Sequence, residues 1–451
     1  MINRGVTPGP RGIELLRTLC AYMRDPFSTL VALTQQYGDI VRFIAGPINA
    51  FLVNGAENIE TVLVKDARHF VPVRPYSVER ALRHGLFTSH GYLHRHQRDM
   101  LEGAYAADRS RRFAEIVVGW GTWLRNEWRD GAEIDLEAHL ERAVVYTSAE
   151  IVFGESARLD WEDLVEPAVP VNEYLGTRST NPLSAVPEAL RLGRDDRTFW
   201  AELQRLEHGI DREIRRRRRA DDSTERNDFL SAILAARDSA GNSMTDQQVR
   251  DEAIANYTTG NSVTVSGLLW TWYMLARHAD VEASLHAELD SVLNGRQATA
   301  TDLPRLSYTR MVIAESIRLY PPAWTIGRRL VTDYELGGVH MPARSLVLVS
   351  PFVVQRDERY FVQPTQFDPE RWAAHATSKR PEYAYIPFSA GPRSCLGEHL
   401  AWQEMVLLLA TVAQRWRLRL LPGYPVELLP LISLRPRYGM PMRVEARTTA
   451  P

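Results

Sequence analysis

A cysteine set in a rigid backbone context is the feature that most constrains this chain. Cys395 lies in the run Phe388-Ser389-Ala390-Gly391-Pro392-Arg393-Ser394-Cys395-Leu396-Gly397. Gly391 and Gly397 permit tight backbone geometry, Pro392 stiffens it, and Glu398 to Leu409 reads as an amphipathic helix that begins where the run stops. A cysteine at the mouth of a helix, two residues after an arginine, has a stabilised thiolate. Free cysteines are more often buried apolar filler, but filler has no use for this setting. A thiolate is either a nucleophile or a metal ligand. The sequence carries no paired His and Asn signature of a cysteine hydrolase, so the ligand reading leads. The other cysteine, Cys20, sits at the opposite end of the chain, which excludes a disulfide framework and a multi-cysteine zinc or iron–sulfur site.

The rest of the chain reads as an ordinary globular protein. Apolar residues are 45% and charged residues 24% of its 451 residues, which argues against wholesale disorder. A net charge of -2 gives no global pull towards nucleic acid or an anionic membrane. All but two of its 54 basic residues, Lys65 and Lys379, are arginine, a bias better explained by a GC-rich genome than by a binding role. Five of those arginines run from Arg215 to Arg219, before Asp221 to Thr224, and are expected to form a solvated helix terminus. Met1 to Arg11 lacks the apolar core of a signal peptide, and no stretch approaches the roughly 20 apolar residues of a membrane span. A cytoplasmic protein without a membrane segment is expected.

At about 150 residues per domain the length suggests three units, but the element pattern argues otherwise. Gly38 to Val53 reads as two strands about Gly46-Pro47. Glu57 to about Ala279 is mostly helical, with breaks near Val71 to Gly91 and Gly176 to Pro187. Strands return over Trp324 to Ser350, broken at Gly337-Gly338 and Pro342-Ala343, and again over Leu418 to Leu421 and Val426 to Val444. Strands at both ends around a large helical middle predict one α+β domain over residues 1–451, mostly helical with a smaller β-rich lobe.

The cysteine run resembles the haem-binding loop of the cytochrome P-450 family, whose pattern is Phe-x-x-Gly-x-Arg-x-Cys-x-Gly. Phe388, Gly391, Arg393, Cys395 and Gly397 fill all five fixed positions. The resemblance extends over nearly the whole chain. Glu315-Ser-Ile-Arg318, followed by Leu319-Tyr320-Pro321-Pro322, is similar to the family's Glu-x-x-Arg helix, and a three-residue spacing sets both side chains on one face. Phe367-Asp368-Pro369-Glu370-Arg371-Trp372 resembles the segment that adds a second arginine to that pair. Pro8-Gly9-Pro10-Arg11-Gly12 resembles the family's proline-rich opening, and Tyr37-Gly38-Asp39-Ile40-Val41 its first strand. The membrane anchor that precedes the proline-rich opening in some members is not expected here.

By this resemblance Cys395 is the axial ligand of haem b, iron protoporphyrin IX, in a pocket that includes Phe388 and Gly397. Arg393 and Arg328 pair with haem propionates, as do His94 and Arg98, which sit one helical turn apart. Two carboxylates near iron need several cationic partners, so the set is physically coherent. Glu315, Arg318 and Arg371 form a structural triad without a catalytic step. Substrate contacts are expected from Leu86 and Phe87, from Thr258 and Thr259, from Trp324 and Ile326, and from Ile432 and Ser433. Trp324, bulky at a haem-facing position, either narrows the pocket, stacks on an aromatic substrate, or is a core side chain.

The chain departs from its family at one place. Asp246 to Arg277 reads as a single long helix, yet Thr258 to Gly267 is a run of ten poor helix formers. Small side chains let another body approach the backbone, and hydroxyls can divert its hydrogen bonds and bend the axis. The resemblance implies a helix crossing the haem face, opened where oxygen binds. Family members usually carry Ala/Gly-Gly-x-Asp/Glu-Thr there. Here Thr259, Gly260, Asn261, Ser262 and Val263 stand in those places, so the acid has become a serine and the alcohol a valine. The acid and threonine normally organise the water that delivers protons during oxygen activation. Valine cannot donate, and Thr264 is rotated about 100° around the helix. Three routes remain open: the substrate's own polar group organises the water; Ser262, Asn261 or Thr259 does so in another geometry; or the enzyme uses peroxide or radical coupling. Substrate-assisted delivery is preferred.

The resemblance therefore implies a haem-thiolate oxidase that performs monooxygenation or oxidative coupling on a mid-sized apolar, aromatic or terpenoid-like secondary metabolite. It would use dioxygen, with electrons from a separate ferredoxin and ferredoxin reductase or a flavodoxin; no fused reductase module is expected. Two alternatives stand beside it. One is a peroxide-using peroxygenase or isomerase. The other is a catalytically silent member that binds a partner, against which the intact Cys395 loop counts.

Overall fold

The computed structural model describes residues 8–45, 48–74, 76–105, 110–178, 194–219, 227–373 and 380–447. The Gly46-Pro47 turn, most of the break at Gly176 to Pro187, Asp221 to Thr224, Lys379 and the first seven residues lie outside them. The architecture is the expected α+β one. The chain divides into two compact units, Met1–Arg74 with Glu315–Cys395, and Pro75–Ala314 with Leu396–Pro451.

The first unit is built on a five-stranded sheet. Its order is Ile40–Ala45, Ile48–Val53, Leu346–Val349, Ile326–Leu330 and Phe70–Pro72. The first two strands pair antiparallel, with Val41 opposite Leu52. Ile48–Val53 then pairs parallel with Leu346–Val349, and the remaining neighbours are antiparallel. Phe51, Val53, Val347 and Val349 point into one apolar core. Pro26–Tyr37 packs nearby; it begins with proline at its first turn, and the Asp25 side chain accepts from the amides of Phe27 and Ser28. The Gly337-Gly338 break is a hairpin turn between Tyr334–Leu336 and Val339–Met341, with both glycines at positive φ.

The second unit is mainly helical. Asp246–Arg277 runs through it as one unbroken helix of 32 residues. A reciprocal capping box of Thr245 and Gln248 starts it. Its poor centre does not open the helix, contrary to the expectation of diverted hydrogen bonds. Thr258, Thr259 and Thr271 hydroxyls donate to the carbonyls four residues back, which already accept helix bonds, and every residue from Thr264 to Leu275 is buried. Packing, rather than propensity, holds it. Trp416–Leu420 and Glu133–Asp135 flank Pro441–Ala446 in a three-stranded sheet, and Leu428–Pro430 pairs with Leu434–Pro436.

Two local readings are corrected. Glu398–Ala413 is not amphipathic, because every residue from Trp402 to Ala413 is buried, and a helix surrounded by protein keeps no polar face. The arginine run is not uniformly solvated either. The Arg217 side chain is 5% exposed and held by Glu213, Asp228, Ser231 and the Phe153 carbonyl, because a buried guanidinium needs its charge and donors met. Among the described residues no helix is long and apolar enough to cross a membrane.

Candidate active site

The cysteine loop is shaped by one close approach. Gly391 has φ +68°, and a Cβ there would stand 2.2 Å from the Leu63 carbonyl oxygen, so only glycine fits. The Cys395 amide donates to the Phe388 carbonyl at 3.0 Å and the Ser394 amide to that of Gly391 at 2.9 Å, closing the loop on itself. Cys395 is left exposed at its end. That excludes the buried-filler reading. Among the described residues no group of three or more His, Cys, Asp or Glu side chains is placed to hold a metal ion.

Arg328, also in the first unit, is 3% exposed on the strand Ile326–Leu330. Burial pushes its guanidinium down to about 9, and the neighbouring charges of Arg74 and Arg393 push the same way. Three guanidiniums crowded like this fit a ligand that brings carboxylates. Arg74 was not legible from the sequence, since it sits in an unpatterned Val-Arg-Pro stretch.

Glu315, Arg318 and Arg371 do meet. Glu315 and Arg318 are fully buried. Arg318 spends all five of its N–H donors: two on Glu315 at 2.8 Å, and three on the carbonyls of Gln355, Pro364 and Gln366. Glu315 in turn accepts from Arg371 at 2.9 Å, from the Trp372 indole and from the Asp368 amide. Trp324 is only 6% exposed and set edge-on to Phe27 at 5.2 Å between ring centroids, with its carbonyl bound by Ser350. Of the three readings of Trp324, this burial favours the core side chain, since little of its surface remains for a ligand. Ile326 is half-buried on the neighbouring strand.

In the second unit the central helix has one open face. From Ala253 to Leu275 the residues not buried are Asn256, Thr259, Gly260 and Val263 on that face, and Ser262, which lies about 160° round the helix from Gly260. A Cβ at Gly260 would meet nothing within 4 Å. Asn261 and Thr264 point away from that face. The Asn261 carboxamide is bound to the Ser148 hydroxyl, and the Thr264 hydroxyl donates to Glu404 at 3.3 Å. Burial pushes the Glu404 carboxyl up to about 8, with the Thr264 bond pulling slightly back. Ser262 meets Ser433 instead, their hydroxyl oxygens 2.5 Å apart, so two residues expected at different parts of the site are brought together. Ile432 beside it is exposed.

The loop bearing Leu86 and Phe87 is tied to the same helix. The Leu86 amide donates to both carboxyl oxygens of Glu252 at 3.0 Å, and burial pushes that carboxyl up to about 8. Leu86 packs on the helical core while Phe87 is exposed. His94 is buried, and Arg98, one turn on, is half-buried with Nε 3.9 Å from Glu102. Gly397 caps the helix Glu398–Ala413. Glu252 and Glu404 were missed from the sequence; Glu404 opens onto an apolar helical run, which was the available signal, while Glu252 follows Arg250-Asp251 and gave none.

Within the first unit, the exposed Cys395 and the crowded guanidiniums of Arg74, Arg328 and Arg393 suit an iron ligand and a group that brings carboxylates. The comparisons agree. The sequence model of the family Cytochrome P-450 matches residues 7–436. Cyclooctatin synthase of Streptomyces melanosporofaciens is 34% identical over 95% of this chain and 93% of that protein. Pentalenene oxygenase of Streptomyces avermitilis is 29% identical over 98% of each. The solved structure of retinoic acid bound cyanobacterial CYP120A1 has the same fold, with a TM-score of 0.85 at 24% identity over 98% of this chain and 99% of that one. The chain belongs to the cytochrome P-450 family, the haem-thiolate monooxygenases that bind iron protoporphyrin IX.

Proposed function

We propose that this enzyme inserts oxygen into a terpenoid secondary metabolite in the cytoplasm, with dioxygen as oxidant and electrons from a separate ferredoxin and ferredoxin reductase. The observation that carries the reading is Cys395, held out on a loop that Gly391 alone can shape. The names of its relatives, which concern cyclooctatin and pentalenene, support the substrate class. Cys395 would hold the iron. Arg328 and Arg393, with His94 and Arg98, would hold the propionates. When bound, haem supplies activation of dioxygen, with the thiolate pushing electron density towards oxygen–oxygen cleavage.

The chain's own residues orient the substrate and manage protons. Leu86, Phe87, Ile326 and Ile432 offer apolar contact, while Thr258 and Thr259, their hydroxyls turned back on the helix, add only small surfaces. Gly260 leaves room beside the helix. Val263 has no proton to give, so delivery assisted by the substrate's own polar group is the route we favour. A panel of polycyclic terpenoids is expected to include ligands that shift the haem absorption spectrum on binding and are oxygenated in the presence of a ferredoxin system. A panel in which aromatic metabolites bind and terpenoids do not would defeat the substrate class.

Val263 favours a second reading, a peroxide-driven peroxygenase or isomerase, because peroxide arrives carrying its own protons. Turnover supported by peroxide at least as well as by ferredoxin would decide for it. Under the first reading, Val263→Thr changes the fraction of electrons that end in product by about two-fold or more, since a positioned proton transfer is worth about 10²–10⁴-fold, while haem content stays the same. Coupling that is unchanged across substrates removes the position from proton delivery.

A further inference from the structure

The loop between the helices Tyr76–Leu82 and Gly91–Glu102 carries Leu86 and Phe87, and it is fastened to the central helix through its backbone. The Leu86 amide donates to both carboxyl oxygens of Glu252 at 3.0 Å, and the His84 amide to Asp251 at 3.4 Å. Gly85, between them, lies flat on the helix. A Cβ there would stand 2.9 Å from the Asp251 carbonyl oxygen and 3.0 Å from the Ala255 Cβ. Gln97 donates to the His84 carbonyl at 2.6 Å, and the Thr88 and Ser89 amides close the loop on the Gly85 carbonyl at 3.0 Å. Glu252 marks one end of the open face, because Asn256, Thr259, Gly260 and Val263 all fall within about 80° of it round the helix. Glu252 is fully buried against the loop, whereas Asn256, one turn on, is only half-buried. The loop therefore covers the first turn of that face and stops short of the rest.

A carboxyl is a demanding group with which to hold one amide. It has about four acceptor sites, and among the described residues the Leu86 amide is the only donor it meets. Ionised, it is a buried charge answered by a single N–H. Burial accordingly pushes it up to about 8, the Leu86 bond pulls it back, and Asp251 adds a like charge. The other charges around the loop have partners or face water. Arg250, 3.7 Å from Asp251, is paired with Asp211 at 2.9 Å, and burial raises the Asp251 carboxyl as well. Arg83 is held by Glu207 at 2.6 Å. Glu79, Arg80 and His84 are exposed, and His94 is buried three residues before Gln97.

We infer that Glu252 is a positioning residue for the substrate, its carboxyl holding the loop of Leu86 and Phe87 against the end of the open face of the central helix. The inference rests on the proposed reading in which Leu86 and Phe87 touch a terpenoid. The neutral carboxyl keeps the loop down. Loss of its proton leaves a charge that water must reach, so the loop lifts and Leu86 and Phe87 leave their places. With the loop lifted the carboxyl meets water and returns to the ordinary carboxylate range. The hold is therefore present below about pH 8 and weakens as the pH rises through that value.

The test compares the holoenzyme at pH 7 and pH 9. Hydrogen exchange at the Leu86 amide, corrected for its intrinsic dependence on pH, is expected to show about a ten-fold loss of protection across that interval, the linkage of a group that gives up its proton near 8. The Kd of polycyclic terpenoids, read from the haem spectrum, should rise by up to the same factor, and KM should change more than kcat. Glu252→Gln keeps an acceptor for the Leu86 amide and cannot titrate, so both profiles should become flat. Glu252→Ala should show the loosened loop at both pH values, and Glu252→Gln carries the test alone if the alanine variant does not fold. A parent enzyme that is flat in exchange or in affinity, or a Glu252→Gln enzyme that keeps the parent's slope, overturns the inference and leaves the terpenoid reading intact. A panel in which no terpenoid binds at either pH defeats the substrate class, and the exchange measurement, which needs no substrate, then decides the inference by itself.

Discussion

Replacing Cys395 by serine is expected to abolish the thiolate-type absorption band of the reduced carbon-monoxide complex and to lower turnover by about 10³-fold or more, the scale of losing one indispensable group. The expectation follows from how little else is available to the metal. Among the described residues no second ligand cluster exists, and the loop ends in this one exposed sulfur. A hydroxyl is far less acidic than a thiol and a harder donor, so serine supplies neither the charge nor the electron density that sulfur gives iron. The arginines at Arg328 and Arg393 are untouched by the substitution and should still retain part of the haem through its carboxylates. The signature is therefore a pigment with an altered spectrum rather than a colourless protein. Cys20→Ser, on the exposed surface of the helix Gly12–Arg24, is the control and should change neither spectrum nor rate. A Cys395→Ser enzyme with the parent spectrum and turnover would remove the foundation of the functional reading.

What the sequence made legible follows from which interactions leave a local trace. The bounds of Asp246–Arg277 were readable because its start carries a Thr-x-x-Gln box and its end is set by His278 and the next helix. The hairpin at Gly337-Gly338 was readable because glycine marks positive φ. Phe70–Pro72 and Glu133–Asp135 were not, since three-residue strands are too short to show a period and exist only because a partner strand lies alongside. The same limit applied to the site. Glu315, Arg318 and Arg371 were found through a spaced pattern, and Cys395 through its glycines. Arg435 was missed because its meaning depends on Ser433, Glu137 and Glu141 meeting it, and the two acids lie some three hundred residues upstream. Ser262 read as a loss of acidity, and only the structure shows that it meets Ser433. Trp324 stayed open between pocket and core because only the structure shows Phe27 against it.

Glu315→Ala should be among the most damaging single changes to stability in this chain. The Arg318 guanidinium is fully buried, and Glu315 is its only anionic partner among the described residues; its other three bonds go to neutral carbonyls. Removing the carboxylate strands that charge, and Arg371 and the Trp372 indole lose the same acceptor. Breaking a buried pair by deleting one partner costs about 3–5 kcal/mol, against a total stability of about 5–15 kcal/mol for a typical domain. Urea unfolding followed by circular dichroism measures the loss, and haem content after purification should fall with it. Arg318→Lys should cost nearly as much, because an ammonium has three donors where five are used here and cannot reach both the carboxylate and the three carbonyls. Asp163→Ala provides the contrast. Its partners Arg205 and Arg212 lie at comparable distances but are 37% and 51% exposed, so water can take over their charges and the change should stay within about 1 kcal/mol. If Glu315→Ala and Asp163→Ala shift the urea midpoint equally, then burial is not what gives the Glu315 network its strength.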